Sequence, residues 1–192
     1  RLMRPFVNHP GVRLVNAVKH HTSRISSGRS YRQSHAAFAF LLDYVPDWRL
    51  AYAPGGLIQY QSFIPAERAA TVLGAQLDLC RKRGHLPYLA VLKRHRPDAF
   101  LMTHALDGFS LALDFPVTGG GAKSLWALTA DLDRMVVEAG GRFYFAKDST
   151  LSHAGLGPYL EEERVRRFLA LKRECDPEGL LETDLYRRIF PG

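Results

Sequence analysis

The sequence predicts an α+β fold, a mostly antiparallel sheet with helices on one face and further helices at the C-terminus. Up to residue 147, segments rich in β-branched and aromatic residues alternate with amphipathic segments in the order β-α-β-β-α-β. Glycines stand where the helices should end. This order is typical of a ferredoxin-like core, in which both helices cover one side of the sheet and the other side stays open for a ligand or another domain.

Each element follows from a local pattern. The segment LIQYQSFI is strand-like, Pro65 opens the helix after it, and Gly84 ends that helix. Gly140 ends the second helix, and the aromatic run RFYFAK predicts a last strand. The predicted elements are, in chain order, strand 57–64, helix 65–83, strand 87–93, strand 108–115, helix 124–139, a strand that ends at Lys147, helix 159–174 and a closing segment 184–190.

Side-chain alternation predicts which strand residues face the helices and which face the open side. The apolar positions of the third strand should face the helices, and the residues between them should point the other way. The positions expected to face the helices are Phe109, Leu111, Leu113 and Phe115. The positions expected on the open side are Gln59, Gln61, Ser110, Ala112 and Asp114.

The positive charge is concentrated at the start of the chain. The formal net charge is +7, and residues 1–50 hold eight Lys or Arg residues against two Asp residues. We expect a basic, partly irregular N-terminal segment over residues 1–50 and one domain over residues 51–192. Such a segment can bind phosphates or make a peripheral contact with an anionic membrane, but a solvated or partner-covered segment is the commoner case.

Cysteine usage and hydropathy indicate a cytoplasmic protein. Cys80 and Cys175 lie far apart and form no disulfide framework. The sequence has neither an apolar run of membrane-spanning length nor a signal segment. Because the chain begins at Arg1 rather than Met, we expect a fragment, a processed product or the tail of a longer protein.

Five segments in order resemble one family: GLIQYQSFIP, YLAVLKRHRP, GFSLALDFPV, GGRFYFAKDS and DPEGLLETDLYRRIF. They are similar to the C-terminal half of FAD-dependent oxidoreductases of the vanillyl-alcohol oxidase superfamily. The likeness is strongest to the branch that oxidises prenyl-phosphate sugars, while sugar-lactone and alditol oxidases are more distant. The resemblance implies a substrate-binding cap domain laid over the flavin, with the FAD held mainly by an N-terminal domain or subunit that is not in this chain. The fragment alone is therefore expected to be inactive.

The resemblance also implies roles for individual residues. Lys147 matches a catalytic lysine beside the flavin and the substrate, and Tyr144 matches an aromatic residue near the flavin ring. Gln61, Lys93 and Ser110 fall at substrate-pocket positions. Ser110 stands where a relative has asparagine, and Ala112 where a relative has cysteine. Alcohol oxidation leaves negative charge on the reduced flavin, which a fixed ammonium group can stabilise.

Two other interpretations fit part of this pattern, an RNA-binding module and a noncatalytic cap subunit. Alternating Phe143 and Phe145 on a β-α-β-β-α-β core would suit an RNA-binding module, but the main aromatic motif of such folds lies on the third strand, so no nucleic-acid partner is predicted. A noncatalytic cap subunit stays open. The triple glycine at 119–121 lacks the spacing of a phosphate loop, and the histidines lack metal-ligand spacing, so no metal is predicted. The function predicted is an FAD-dependent oxidoreductase that acts on a hydroxyl of a sugar, a sugar alcohol or a prenyl-phosphate sugar.

Overall fold

A computed structural model describes residues 9–40, 48–117, 120–147, 150–153 and 160–190. The chain divides into two compact units, Arg1–Gly56 and Leu57–Gly192. The first unit contains helix α1 (His9–Ile25), the short helix α2 (His35–Ala39) and a 3-10 turn (Trp48–Tyr52). In α1 the apolar side chains of Leu14, Val18 and Ile25 are exposed.

Among its described residues, the second unit contains the predicted β-α-β-β-α-β core and, after it, two further helices. Its elements are β1 (Leu57–Pro65), α3 (Ala66–Lys82), β2 (Leu89–His95), β3 (Gly108–Pro116), α4 (Ala122–Glu138), β4 (Arg142–Phe143), α5 (Glu162–Cys175) and α6 (Asp184–Ile189). The four strands form one sheet in the order β2-β3-β1-β4, and all neighbours are antiparallel. The predicted fold class and the predicted order of strands and helices along the chain are confirmed.

The core lies between the sheet and the two helices α3 and α4. Leu113 of β3 and Leu128 and Leu132 of α4 are all fully buried. The strand residues that point into this core, here called the helix face of the sheet, are Ile58, Tyr60, Ser62, Ile64, Leu111, Leu113, Phe115 and Phe143. The alternation that predicts this side for β3 therefore holds in the structure.

Two glycines connect α4 to the sheet. Gly140 ends the helix at φ +66°, a conformation that favours glycine. A Cβ atom on Gly141 would lie 2.5 Å from the carbonyl oxygen of Phe63, so only glycine lets the chain pass this close to β1. The pair thus brings the chain directly from α4 to the edge of β1.

The last strand is much shorter than predicted. β4 contains only Arg142 and Phe143, which pair with Phe63 and Ser62 of β1. The chain then turns, and the Lys147 N–H donates to the Tyr144 carbonyl at 3.0 Å. The prediction of a strand that ends at Lys147 is wrong because β propensity depends on context. Here the aromatic side chains after Phe143 pack without extended pairing.

Candidate functional site

The side of the sheet opposite α3 and α4 carries polar and ring-bearing side chains. We call it the polar face and define it by Gln59, Gln61, Phe63, Lys93, His95, Ser110, Ala112 and Asp114; Leu89 and Val91 of β2 lie on the same side. The β1–β3 register pairs Gln59 with Asp114 and Gln61 with Ala112. Paired residues of an antiparallel sheet project from the same side, so the predicted assignment of five of these residues to one side is confirmed.

The centre of the polar face is buried. Ser110 is 0% exposed, Asp114 3%, Ala112 5% and Gln61 6%. The expectation of an open face is therefore wrong at the centre, where side chains are as inaccessible as in the core. Lys93, at the edge strand β2, is exposed. Burial of so many polar groups requires hydrogen bonds to offset the loss of water.

One hydrogen-bonded pair joins Gln59 and Asp114. The Gln59 Nε2 donates to Asp114 Oδ1 at 2.8 Å. Burial raises the pKa of the Asp114 carboxyl above its ordinary value, while the Gln59 hydrogen bond and the positive charge of Lys147 act in the opposite direction. The ammonium group of Lys147 is thus near enough to the polar face to act on Asp114.

A second chain of hydrogen bonds joins Gln61, Ser110 and His95. The Gln61 Nε2 donates to Ser110 Oγ at 3.0 Å, and the same oxygen lies 2.8 Å from His95 Nε2. The other end of the Gln61 side chain, Oε1, is buried and has no hydrogen-bond partner among the described residues. An unpaired buried acceptor destabilises a fold by about 1–3 kcal/mol, and such atoms are rare.

Four rings pack against one another in edge-on or tilted contacts beside these polar groups. Phe63 is central, with ring centroids of His104 at 4.7 Å, His95 at 4.8 Å and Tyr144 at 6.2 Å. His104 and Tyr144 are themselves 4.5 Å apart. Burial is the largest of the effects that lower the pKa of His95 and of His104, so both imidazoles favour the neutral form. We call Phe63, His95, His104 and Tyr144 the ring cluster.

Four of the five predicted site residues lie in or beside the buried part of this side. Gln61 and Ser110 are bonded to each other, Tyr144 belongs to the ring cluster, and half-buried Lys147 acts on Asp114. In a continuous strand, Tyr144 and Lys147 would project from opposite faces, since they are three residues apart. The turn after Phe143 is what returns Lys147 to the side of Tyr144.

Lys93 stands apart from the other predicted residues. It pairs with Ser110 in the β2–β3 register, which assigns it to the polar face. Its side chain is exposed at the edge of the sheet, away from the buried centre. Its position fits contact with a charged group of a ligand at the rim better than contact at the centre.

Sequence reasoning missed several members of the site. His95 has a detectable signal, because it follows Lys93 by two residues on the same strand and so shares its side. Asp114 and Gln59 were expected on this side but not assigned to the site. His104 lies in the loop between β2 and β3, and only the fold brings it to Phe63.

Other kinds of site find less support. Within the described ranges, no group of three or more His, Cys, Asp or Glu side chains is arranged to hold a metal ion. No helix in the part of the chain that the structure describes is long and apolar enough to cross a membrane. A surface cavity of about 330 Å³ is lined by Ala99, Leu101, Glu163, Arg164 and Arg167. It shares no residue with the polar face, and Arg164 is bonded to the Phe100 and Leu101 carbonyls.

Comparison with known proteins relates the chain to an oxidase. Over 163 residues, or 84% of this chain, it is 31% identical to the decaprenylphosphoryl-β-D-ribose oxidase of Mycolicibacterium smegmatis (strain ATCC 700084 / mc(2)155). The match is to the C-terminal part of that protein and covers 34% of it, so the chain spans about a third of the length of this relative. No protein-family model matches the chain. The resemblance to the C-terminal part of this kind of oxidoreductase is confirmed.

Proposed function

We propose that this chain is the substrate-binding part of an FAD-dependent oxidoreductase that oxidises a hydroxyl group of a sugar, a sugar alcohol or a prenyl-phosphate sugar. The FAD is held mainly by another part of the enzyme, a domain or subunit outside this chain. One structural observation carries the proposal. The buried Oε1 of Gln61 has no partner among the described residues, on a face that also holds a lysine.

The residues of the polar face fit a flavin and a polyhydroxylated ligand. An unpaired acceptor suits a ligand hydroxyl or ring N–H. Tyr144 offers an aromatic ring and Lys147 a positive charge on the same side. These two residues would contact the flavin, which supplies a hydride acceptor when it is bound.

The residues of this chain would then bind and orient the ligand and stabilise the negative charge that develops during its oxidation. Gln61 would accept a hydrogen bond from a ligand hydroxyl, with Ser110 holding its carboxamide. Lys147 would provide fixed positive charge where negative charge develops during oxidation, which is most effective in a site that excludes water. Lys93, exposed at the rim, suits the phosphate of a prenyl-phosphate sugar as a mobile point charge.

The RNA-binding alternative has no support from the described residues. Phe143 is 2% exposed on the helix face, and Phe145 packs against the core. Neither ring is available to stack on a base. Phe63, the phenylalanine of the polar face, is 1% exposed.

Reconstitution tests the proposal. The chain would be co-expressed with the remaining N-terminal part of the mycolicibacterial relative, and flavin retention and sugar-dependent bleaching of the flavin absorption would be measured. We expect little flavin on this chain alone, and a yellow complex reduced by a prenyl-phosphate sugar. Near-stoichiometric flavin on the chain alone would contradict the proposal that the FAD is held mainly by another part of the enzyme. A flavin-loaded complex that no sugar, sugar alcohol or prenyl-phosphate sugar reduces would contradict the proposed reaction.

A further inference from the structure

Gln61, Ser110 and His95 form a chain of hydrogen bonds with a defined direction. Ser110 has one proton to donate and is 0% exposed, so that proton has to go to a neighbour. Its oxygen accepts from Gln61 Nε2 at 3.0 Å, and His95 Nε2 lies 2.8 Å away on the other side. With Gln61 Nε2 as the donor to Ser110 Oγ, the Ser110 proton has an acceptor within this chain of hydrogen bonds only if His95 Nε2 is unprotonated.

The protonation state of His95 therefore decides which end of the Gln61 carboxamide is bonded to Ser110 and which end is left for a ligand. With the imidazole proton on Nδ1, Ser110 donates to His95, and Gln61 must present its NH2 group to Ser110, which leaves its buried Oε1 without a partner among the described residues. If His95 carried a proton on Nε2, it would donate to Ser110, whose own proton would then need the Gln61 oxygen as its acceptor. The carboxamide would be reversed, with its NH2 group outward.

We propose that His95 is a positioning residue that acts through the Ser110 hydroxyl to hold the Oε1 of Gln61 toward the site, as an acceptor for a hydroxyl group of the ligand. This inference rests on the proposed function for the nature of the ligand, but not for the geometry. It assigns a specificity role: the site selects a ligand that donates a hydrogen bond at this point, and an ether or a deoxy position there leaves Oε1 unpaired.

The surroundings of His95 favour the neutral form that the arrangement requires. Burial is the largest effect that lowers the pKa of His95, and electrostatic interactions with His104 in the loop that follows and with Lys93 and Arg94 on β2 lower it further. The Phe63 ring lies against the imidazole, with centroids 4.8 Å apart. Below the lowered pKa of His95 the imidazolium donates at Nε2, so acid should reverse the Gln61 carboxamide.

NMR of the full chain tests this without flavin. Two-bond ¹H–¹⁵N spectra of histidine-labelled protein, with His95 assigned by its loss in His95→Phe, should show a neutral imidazole protonated at Nδ1 near neutral pH. The Gln61 NH2 resonances should then titrate with the midpoint of His95 in a His104→Phe background and should not titrate when His95 is also Phe. A neutral His95 protonated at Nε2, or Gln61 resonances that do not follow His95, would overturn the proposal.

Two serine variants supply the second readout. In Ser110→Ala the Gln61 NH2 should exchange with solvent about two- to tenfold faster, the factor expected from one lost hydrogen bond, and Ser110→Thr should restore the slow exchange. His104→Phe is the matched control, because its ring contacts Phe63 but has no hydrogen bond to Ser110 in the described structure. Unchanged exchange in Ser110→Ala would count against the proposal. Because neither readout involves flavin, failure of the reconstitution leaves these results interpretable on their own.

Discussion

The centres of the two sides of one sheet are buried to the same degree but differ in chemistry. On the helix face, Leu113 is 0% exposed and packs among apolar side chains, and on the polar face Ser110 is also 0% exposed. Apolar burial stabilises the fold directly, whereas polar burial is tolerable only when hydrogen bonds replace water. Among the described residues, Gln61 Oε1 on the polar face and Gln76 Nε2 on the helix face have no partner, but the unpaired atom of the polar face lies on the side where Lys147 acts on Asp114. We infer that the helix face is responsible for stability and the polar face for binding.

The largest effect should come from the helix face. Leu132 is fully buried in α4, so Leu132→Ala removes contacts and leaves a cavity, and should lower the free energy of unfolding by about 2–5 kcal/mol. Urea denaturation measures the loss. The comparison variant is Ser110→Ala on the polar face, for which we expect about 1 kcal/mol. Equal losses for the two variants would remove the distinction between the faces.

The next effect should be on catalysis alone. In the reconstituted enzyme, Lys147→Met should slow flavin reduction by about 10²–10³-fold, because it removes a fixed charge from the site of charge development. Stopped-flow absorption measures the rate. Lys123→Met is the control, since Lys123 is exposed in the first turn of α4. If both variants reduce flavin at the parent rate, Lys147 has no catalytic role.

A smaller effect should come from the polar pair that lies within the helix face. Ser62 Oγ donates to Gln76 Oε1 at 3.0 Å, and both residues are 0% exposed. Ser62→Ala should lower the free energy of unfolding by about 1–3 kcal/mol because it leaves the Gln76 carbonyl unpaired. The double variant Ser62→Ala with Gln76→Leu should recover most of this loss. A double-mutant cycle with strictly additive losses would show that the bond does not couple the two residues.

The smallest effect is the pH dependence of stability. The pKa values of His95 and His104 are lowered in the folded chain, so the unfolded chain binds protons first as the pH falls. Stability should therefore be complete above the ordinary histidine pKa of about 6.5 and decrease as the pH falls through the lowered folded values. Urea midpoints on either side of this pH measure the decrease. The double variant His95→Phe with His104→Phe should show a smaller decrease in stability. A pH dependence that is unchanged in this variant would contradict the assignment of the decrease to these two histidines.

Much of the fold and part of the site can be predicted from the sequence, because both depend on local periodicity. Alternation along β1 and β3 assigns Gln59, Gln61 and Ser110 to one side, and the glycine at 140 marks the end of α4. The prediction of a strand that ends at Lys147 is wrong because the turn after Phe143 overrides the local β propensity.

Contacts between distant segments account for what the sequence does not reveal. His95 reaches Ser110, and His104 reaches Phe63, only through the register of β2 with β3 and the path of the loop between them. Nor does alternation alone predict that the centre of the polar face is buried. These features depend on tertiary packing, which has no periodic signature in a single sequence.

The most direct test of the division between the two faces is NMR shift mapping on this chain. ¹⁵N-labelled chain would be combined with the flavin-loaded N-terminal part of the relative, and amide shifts compared with those of the free chain. We predict that Gln61, Ser110 and Lys147 shift or broaden while Leu128 and Leu132 of the helix face stay unchanged. Perturbation of the helix face with an unperturbed polar face would contradict the account.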